Sequence, residues 1–318
     1  MTGPGRRAAL AAAALAAAGC TAPQRTVLTN LPAMLSYEKV YDRYAQVDET
    51  QTDVSARVAA DGREAAVVSA FFGLDDALPS GSRLVLCDGA DGADGLPVVF
   101  SHEVDPDSVE PGDFRLVTAS GVQGEVACLT LSPADDPGEL RTALLAGAFG
   151  DAGDQPVTVE IVGHVLTMDG SATFRGARAP VVPLEDGPTL VWAEIVPEDR
   201  WTLGAPGTRL PWGGGTSCPV GTEQIVRVAW NGGITLPGGG HLTPEDAAFY
   251  AVEVATPEGG TTTVAPMALA DLSDGDNNHA LCLDTRRPAV LVSIAAGRVT
   301  DPADDPNPAT EIAVPGAD

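Results

Sequence analysis

Lysine is almost missing from this chain: Lys39 is the only one in 318 residues. Arginine does not make up the shortfall, since Lys and Arg together number 18 against 44 Asp and Glu, a formal charge of −26. So acidic a surface repels phosphate backbones and anionic headgroups, which argues against a nucleic-acid partner. It serves solubility first, and cation binding is the other use for so many carboxylates. No Gly-rich loop ends in Gly-Lys-Ser/Thr, so nucleotide is not expected either. The four histidines (His102, His164, His241 and His279) stand at no ligand spacing from another His or Cys. His102-Glu103 lacks the second histidine of a zinc-protease helix. G-x-S-x-G is absent, and Gly215-Thr-Ser-Cys218 is only a fragment of it. The reading is therefore noncatalytic. A hydrolase is kept as the third class, because glycosidase carboxylates need no linear motif.

Long apolar runs are missing too. Arg6 and Arg7 precede an unbroken apolar stretch from Ala8 to Ala18, which Gly19 and Cys20 close. A helix needs about 20 apolar residues to span a bilayer, and this run falls well short. It fits a secretory h-region followed by small residues at a cleavage site. Ala17-Ala18-Gly19-Cys20 resembles the bacterial lipobox, [Leu]-[Ala/Ser]-[Gly/Ala]-Cys, with Ala17 where leucine is commonest. The resemblance implies a signal peptide over 1–19 and a lipid on Cys20, through which the chain is anchored to a membrane. Thr21, not aspartate, follows Cys20, which by resemblance to Gram-negative sorting points to the outer membrane.

What is plentiful is Gly, 36, and Pro, 26, which favour many short elements joined by turns. Residues 20–52 read as a tether and lead-in, where Met34, Tyr37, Tyr41 and Tyr44 recur at helical spacing and suggest one amphipathic helix over Leu35 to Gln46. From Asp53 the pattern is all-β. Val54 to Val58, a turn at Asp61-Gly62 and Ala65 to Phe72 read as a hairpin. Further strands are expected over 83–87, 97–101, 114–118, 126–131, 143–148 and 157–162, at sandwich-like intervals. The stretch over 143–148 also suits a buried helix.

The second half replays the first. Leu190 to Val196 answers Ala66 to Phe72, Val228-Ala-Trp230 answers Val98-Val-Phe100, and Pro244-Glu-Asp answers Pro111-Gly-Asp. Leu281-Cys282-Leu283 matches Ala127-Cys128-Leu129; the segments from Val292 and from Ala309 match those from Leu144 and Val157. So long a period describes tandem domains rather than a solenoid, with boundaries at 53–184 and 185–318. Each copy holds one early and one late cysteine. Of the three pairings four cysteines allow, the duplication selects Cys87–Cys128 and Cys218–Cys282. Cys20 is then left over, as lipidation requires.

Phe100-Ser-His-Glu-Val-Asp-Pro-Asp-Ser-Val-Glu-Pro-Gly-Asp-Phe114 resembles the opening of bacterial Ig-like domains of surface proteins, and Leu116 and Thr118 to Gly121 continue the likeness. The second copy has Asn231-Gly232-Gly233 where V-D-P would fall. The resemblance implies two tandem Ig-like β-sandwich domains, used as spacer or binding modules in an envelope; it carries no catalytic residue.

The expected function is a lipid-anchored envelope scaffold or protein-interaction module, with an envelope protein or surface polymer as partner. The alternative is a glycan- or calcium-binding module using loops at the domain junction. Trp201 and Trp212 lie in Pro/Gly-rich loop, where indoles stack on sugars or close an interface; Trp192 and Trp230 fall in strand patterns and read as core. Asp271, Asp274, Asp276 and Asn278 offer hard oxygens at the short spacing calcium loops use. Asp88 to Gly95 and Asp301 to Asp305 are weaker cases. None meets the EF-hand pattern, and Asp and Gly also simply favour turns. No other cofactor is expected.

Overall fold

The computed structural model describes residues 54–84, 86–205, 215–272 and 274–316. Cys20, the tyrosine-bearing lead-in and Trp212 lie outside them. The described chain is all-β, with single 3₁₀ turns between strands.

In the first half the strands are β1 (Val67–Phe71), β2 (Asp94–Phe100), β3 (Phe114–Thr118), β4 (Gln123–Thr130), β5 (Thr142–Ala148), β6 (Pro156–Ile161) and β7 (Arg178–Val182). They pair in the order β1-β2-β5-β4-β3-β6-β7, and β7 returns to lie parallel to β1, closing the sheet. Lettered A to G, this is A-B-E-D against C-F-G, the constant-type immunoglobulin arrangement. β4 turns the corner between the layers. Gln123 and Gly124 pair with β3, whereas Glu125 to Thr130 pair with β5, across a register shift between Val126 and Cys128.

The second half repeats the topology with β8 (Leu190–Ile195), β9 (Gln224–Trp230), β10 (Tyr250–Ala255), β11 (Thr261–Val264), β12 (Ala268–Ala270), β13 (Asn278–Leu283), β14 (Ala289–Ile294) and β15 (Thr310–Ala313). Here two sheets stay separate, β12-β13-β9-β8 and β11-β10-β14-β15. β11 and β12 share the place that β4 fills alone. Pro266 stands between them, and a residue without an N–H cannot continue a ladder. The first domain is thus a closed sandwich and the second an open one.

This topology corrects the later part of the internal match. β13 pairs as β5 does, so Cys282 lies one strand away from the place of Cys128. Cys128 stands opposite Ala146 on β5, and Cys282 opposite Ala268 on β12. The bridges therefore occupy opposite members of an equivalent cross-strand pair. Likewise β14 and β15 are counterparts of β6 and β7, not of β5 and β6. Short period-2 segments look alike, so a match through them slides easily. The upstream equivalences agree with the sheet order. Both domains also share a capped 3₁₀ turn before the third strand: Glu110 N–H donates to Asp113 Oδ2 and Thr243 N–H to Asp246 Oδ2, each at 2.8 Å.

Two other expectations change. Among its described residues the segment 83–87 has no strand: a 3₁₀ turn, Ser82–Leu84, precedes Cys87, which the Cys87–Cys128 bridge ties to the sheet. The hairpin over Val54 to Phe72 reduces on its first arm to a single bridge, Val58 with Glu64. β5 is a strand despite its leucines and alanines, because it is a central strand between β2 and β4.

Each domain has its own core. Phe100 packs edge-on against Phe114 at 6.4 Å and Phe174 at 4.8 Å between centroids. In the same place of the second domain Trp230 and Tyr250 meet, also at 6.4 Å. The Phe100–Phe114 motif is structural: Asp105 Oδ1 accepts from Asp107 N–H, and Ser108 Oγ donates to the Asp105 carbonyl and accepts from Leu166 N–H. Both disulfides form, Cys87–Cys128 and Cys218–Cys282. They sit outside the sandwich cores, each pinning the connection between the first two strands of its domain onto the outer sheet face.

Candidate functional site

β2 and β9 are buried along nearly their whole length. Alternation would leave one face wet, so near-continuous burial means that both faces are covered. The second cover is partly the pinned connection and partly the other domain. Trp192, on β8, carries the guanidinium of Arg141 3.5 Å above its ring centre. Trp192 is thus a junction residue, not the core residue its strand pattern suggested. Arg227 on β9 reaches across to the first domain: its guanidinium lies 3.3 Å from the Pro137 carbonyl and 3.0 Å from Glu139, and 3.5 Å from Glu194 of its own domain. Gly232 lies so close to Phe71 that a Cβ would approach the ring to 2.8 Å.

Around Arg227 the two loops joining the fourth and fifth strand positions come together. From the first domain come Asp136 and Glu139; from the second, Asp271, Asp274 and Asp276. Ligand oxygens of Asp136, Glu139 and Asp271 all lie within 4.8 Å of one another. Glu139 is 1 % exposed and Asp274 6 %. Burial, reinforced by the Asp271 charge and only partly offset by Arg227, pushes the Glu139 carboxyl up to about 11. Burial also raises Asp271 to about 6, and raises Asp274 and Asp276, the latter with help from its acidic neighbours. The raised Glu139 carboxyl hydrogen-bonds Asp271, and among the described residues the Arg227 guanidinium lies beside the group.

Of the expected oxygen ligands, the structure therefore brings Asp271 into a three-carboxylate group and sets Asp274 and Asp276 beside it. Asn278 opens β13 and donates through Nδ2 to Asp276 Oδ2 at 2.9 Å; its own Oδ1 is buried without a hydrogen bond. Sequence reading missed Asp136, Glu139, Arg141 and Arg227. Asp135-Asp-Pro-Gly-Glu-Leu-Arg141 reads as an ordinary charged turn, and only the meeting of two domains gives it another meaning.

The other acidic loops bond largely within themselves, although the buried Asp301 Oδ2 has no hydrogen bond. Asp91 Oδ1 accepts from Gly81 and Arg83 N–H, and Asp94 takes Asp76 N–H on one oxygen and Phe149 N–H on the other. Asp301 Oδ1 accepts from Ala303 and Asp305 N–H. Trp201 donates its indole N–H to the Val196 carbonyl at 2.9 Å and packs against the cluster around the Cys218–Cys282 bridge. Beside Asp276 and Asn277 opens an apolar cleft of about 260 Å³, lined also by Phe71, Pro97, Leu144 and Gly232.

No family model and no curated protein matches the chain. Among solved structures, three of the bacterial S-layer protein SbsC are similar at a low level. Its N-terminal part gives a TM-score of 0.23 at 11% identity over 70% of this chain and 42% of that one. The form rSbsC(31-844) gives 0.28 at 11%, over 80% and 41%. Domains 1–6 give 0.27 at 9%, over 80% and 41%. This chain spans about two fifths of each of them.

Proposed function

We propose that this protein is a noncatalytic envelope module, held to a membrane by a lipid on Cys20, whose tandem Ig-like domains act together as a scaffold or interaction unit. The observation that carries the reading is the disulfide pattern: Cys87–Cys128 and Cys218–Cys282 each close within one domain. Cys20 is left as the cysteine without an intradomain partner, next to the lipobox-like run. Disulfides persist in oxidising compartments, which agrees with export. The short connection from Val182 to Leu190 and the buried contacts of Arg141 and Arg227 favour a domain pair that works as one body.

The test is mass spectrometry of the mature N-terminus together with fractionation of the Cys20→Ser variant. The expected result is a diacylglyceryl-modified Cys20 in the membrane fraction and release of the variant. An unmodified Met1, or a free Cys20 thiol, overturns the assignment.

A further inference from the structure

We infer that the cleft between the two domains binds one small uncharged apolar molecule bearing a hydroxyl or carbonyl oxygen. Its body lies on Phe71, Pro97 and Leu144, and its oxygen meets the Thr142 hydroxyl. The site goes beyond the envelope role and does not depend on a lipid at Cys20. Its floor follows from strand alternation. Ala143 and Leu145 of β5 belong to the first core, so Thr142 and Leu144 point away from it. Across the ladder they face Val99 and Pro97 of β2. Pro97 has no N–H to donate, and the pairing of β1 with β2 stops one residue short of it, at Ala70 opposite Val98. It resumes only as a single bridge, Leu74 with Gly95. The sheet is thus broken beside Phe71, and the cleft of about 260 Å³ lies over the break. The second domain bounds it with Gly232, Gly233 and Asn277. At Gly233 an added Cβ would meet nothing within 4 Å, so the missing side chain there leaves room.

The polar side chains in the lining point to the ligand. They are Ser132, Thr142, Asp276 and Asn277. Ser132 Oγ donates to Asp135 Oδ2, Asn277 Nδ2 donates to the Trp230 carbonyl, and both Asp276 oxygens accept from Asn278. Thr142, 7 % exposed, is the exception: its hydroxyl is covered and has no hydrogen bond. An unmade bond at a buried polar group costs free energy, and a ligand oxygen supplies the partner. A turn about χ1 exchanges hydroxyl and methyl group and presents the hydroxyl to the cleft. The same inventory sets the charge. No basic group lines the cleft and the chain carries −26, so an anion is repelled. A cation would lose its hydration where both Asp276 oxygens are already engaged. A sugar would bury many hydroxyls against one free partner. Volume sets the size: since a 150 Å³ apolar cavity takes benzene, about 260 Å³ takes about ten non-hydrogen atoms.

The experiment titrates 2-naphthol, followed by its fluorescence at pH 7, into the full chain carrying Cys20→Ser, which avoids detergent. 2-Naphthoate is the anionic counterpart. The expected result is one 2-naphthol per chain with a Kd of roughly 0.01–1 mM, and no binding of 2-naphthoate. Thr142→Val keeps the shape and removes the hydroxyl, so it weakens binding about three- to tenfold, whereas Thr142→Ser retains the affinity. Leu144→Ala removes part of the floor and weakens binding about fivefold. Val220→Ser leaves it unchanged: Val220 is 80 % exposed and precedes β9, while Gly232 follows the other end of that strand. Thr142→Val also deletes a buried orphan, so it keeps the fold, and circular dichroism checks every variant. Absence of saturable binding, equal binding of 2-naphthoate, wild-type affinity in Thr142→Val, or binding lost in Val220→Ser overturns the site.

Discussion

Removing one hydroxyl from the second core tests how that core is held. Trp230, Tyr250 and His279 are all buried, at 0 %, 2 % and 6 % exposure. The Trp230 indole N–H donates to Tyr250 Oη at 3.2 Å, and Tyr250 Oη lies 2.8 Å from His279 Nδ1. Because Oη accepts from the indole, its own proton is free to go to Nδ1. Tyr250→Phe keeps the ring and deletes the link, which leaves a buried donor on one side and a buried acceptor on the other. At about 1–3 kcal/mol for each of the two orphaned groups, the expected loss is about 2–6 kcal/mol. The first domain shows that the ring geometry needs no polar atoms, since Phe100 and Phe114 meet there at the same 6.4 Å. Trp230→Phe should accordingly cost less in the Tyr250→Phe background than in the wild type, by about 1–2 kcal/mol of coupling. Urea unfolding followed by far-UV circular dichroism measures all three variants. A Tyr250→Phe loss below about 0.5 kcal/mol, on a scale where orphaned groups cost more, or strict additivity in the double variant, refutes the linked-core account.

Two further expectations concern the same domain. Burial holds the His279 pKa down at about 4, against about 6.5 in an unfolded chain, so between those values the unfolded state binds the extra proton. Its contribution is therefore complete above about pH 6.5 and lost as pH falls towards 4, up to about 3 kcal/mol by linkage. Comparing unfolding free energies from pH 7 to 4.5 for wild type and His279→Gln should show a steeper acid loss in the wild type, and parallel curves would refute it. The Cys218–Cys282 bridge closes a separation of 64 residues, which the chain-entropy model values at about 4 kcal/mol. Replacing both cysteines by serine should lower stability by about that much and expose Trp201, read as a red-shifted emission. A change under about 1 kcal/mol, against this expectation, would contradict the entropic assignment.

Sequence pattern revealed the strands whose two faces differ or whose ends carry turn residues. β3 begins after Pro111-Gly-Asp and ends before Ser120-Gly121, and its expected and observed bounds coincide. β7 went unmarked, because Arg-Ala-Pro-Val-Val, Arg178–Val182, carries a proline and little alternation. The duplication was legible where large aromatics mark it, at Phe100 and Trp230, and slipped by one strand where small apolar residues recur. The disulfide pairing was right although part of its strand equivalence was not: loops of similar length in both copies bring the cysteines to the same sheet face. The junction was legible by half. Asp271 and its neighbours stand out as a run of hard oxygens, whereas Glu139 and Arg227 are single charges whose meaning comes from contacts about 90 residues apart.

The parallel pairing of β1 with β7 has a mechanical consequence. Ala70 and Phe71 lie beside Val181 and Val182, and Phe72 N–H donates to the Val182 carbonyl. A pull applied through the start of β1 and the end of β7 runs along both strands in opposite directions. It loads their shared bonds together in shear instead of peeling them one by one. Among the described residues the second domain has no such ladder between its outer strands; β8 meets β15 through Leu190 N–H on the Thr310 hydroxyl. Under tension the second domain yields first. Its extension stops short, because the chain between Cys218 and Cys282 is bridged and cannot lengthen. The pair thus behaves as a stiff link in series with a soft one of limited travel.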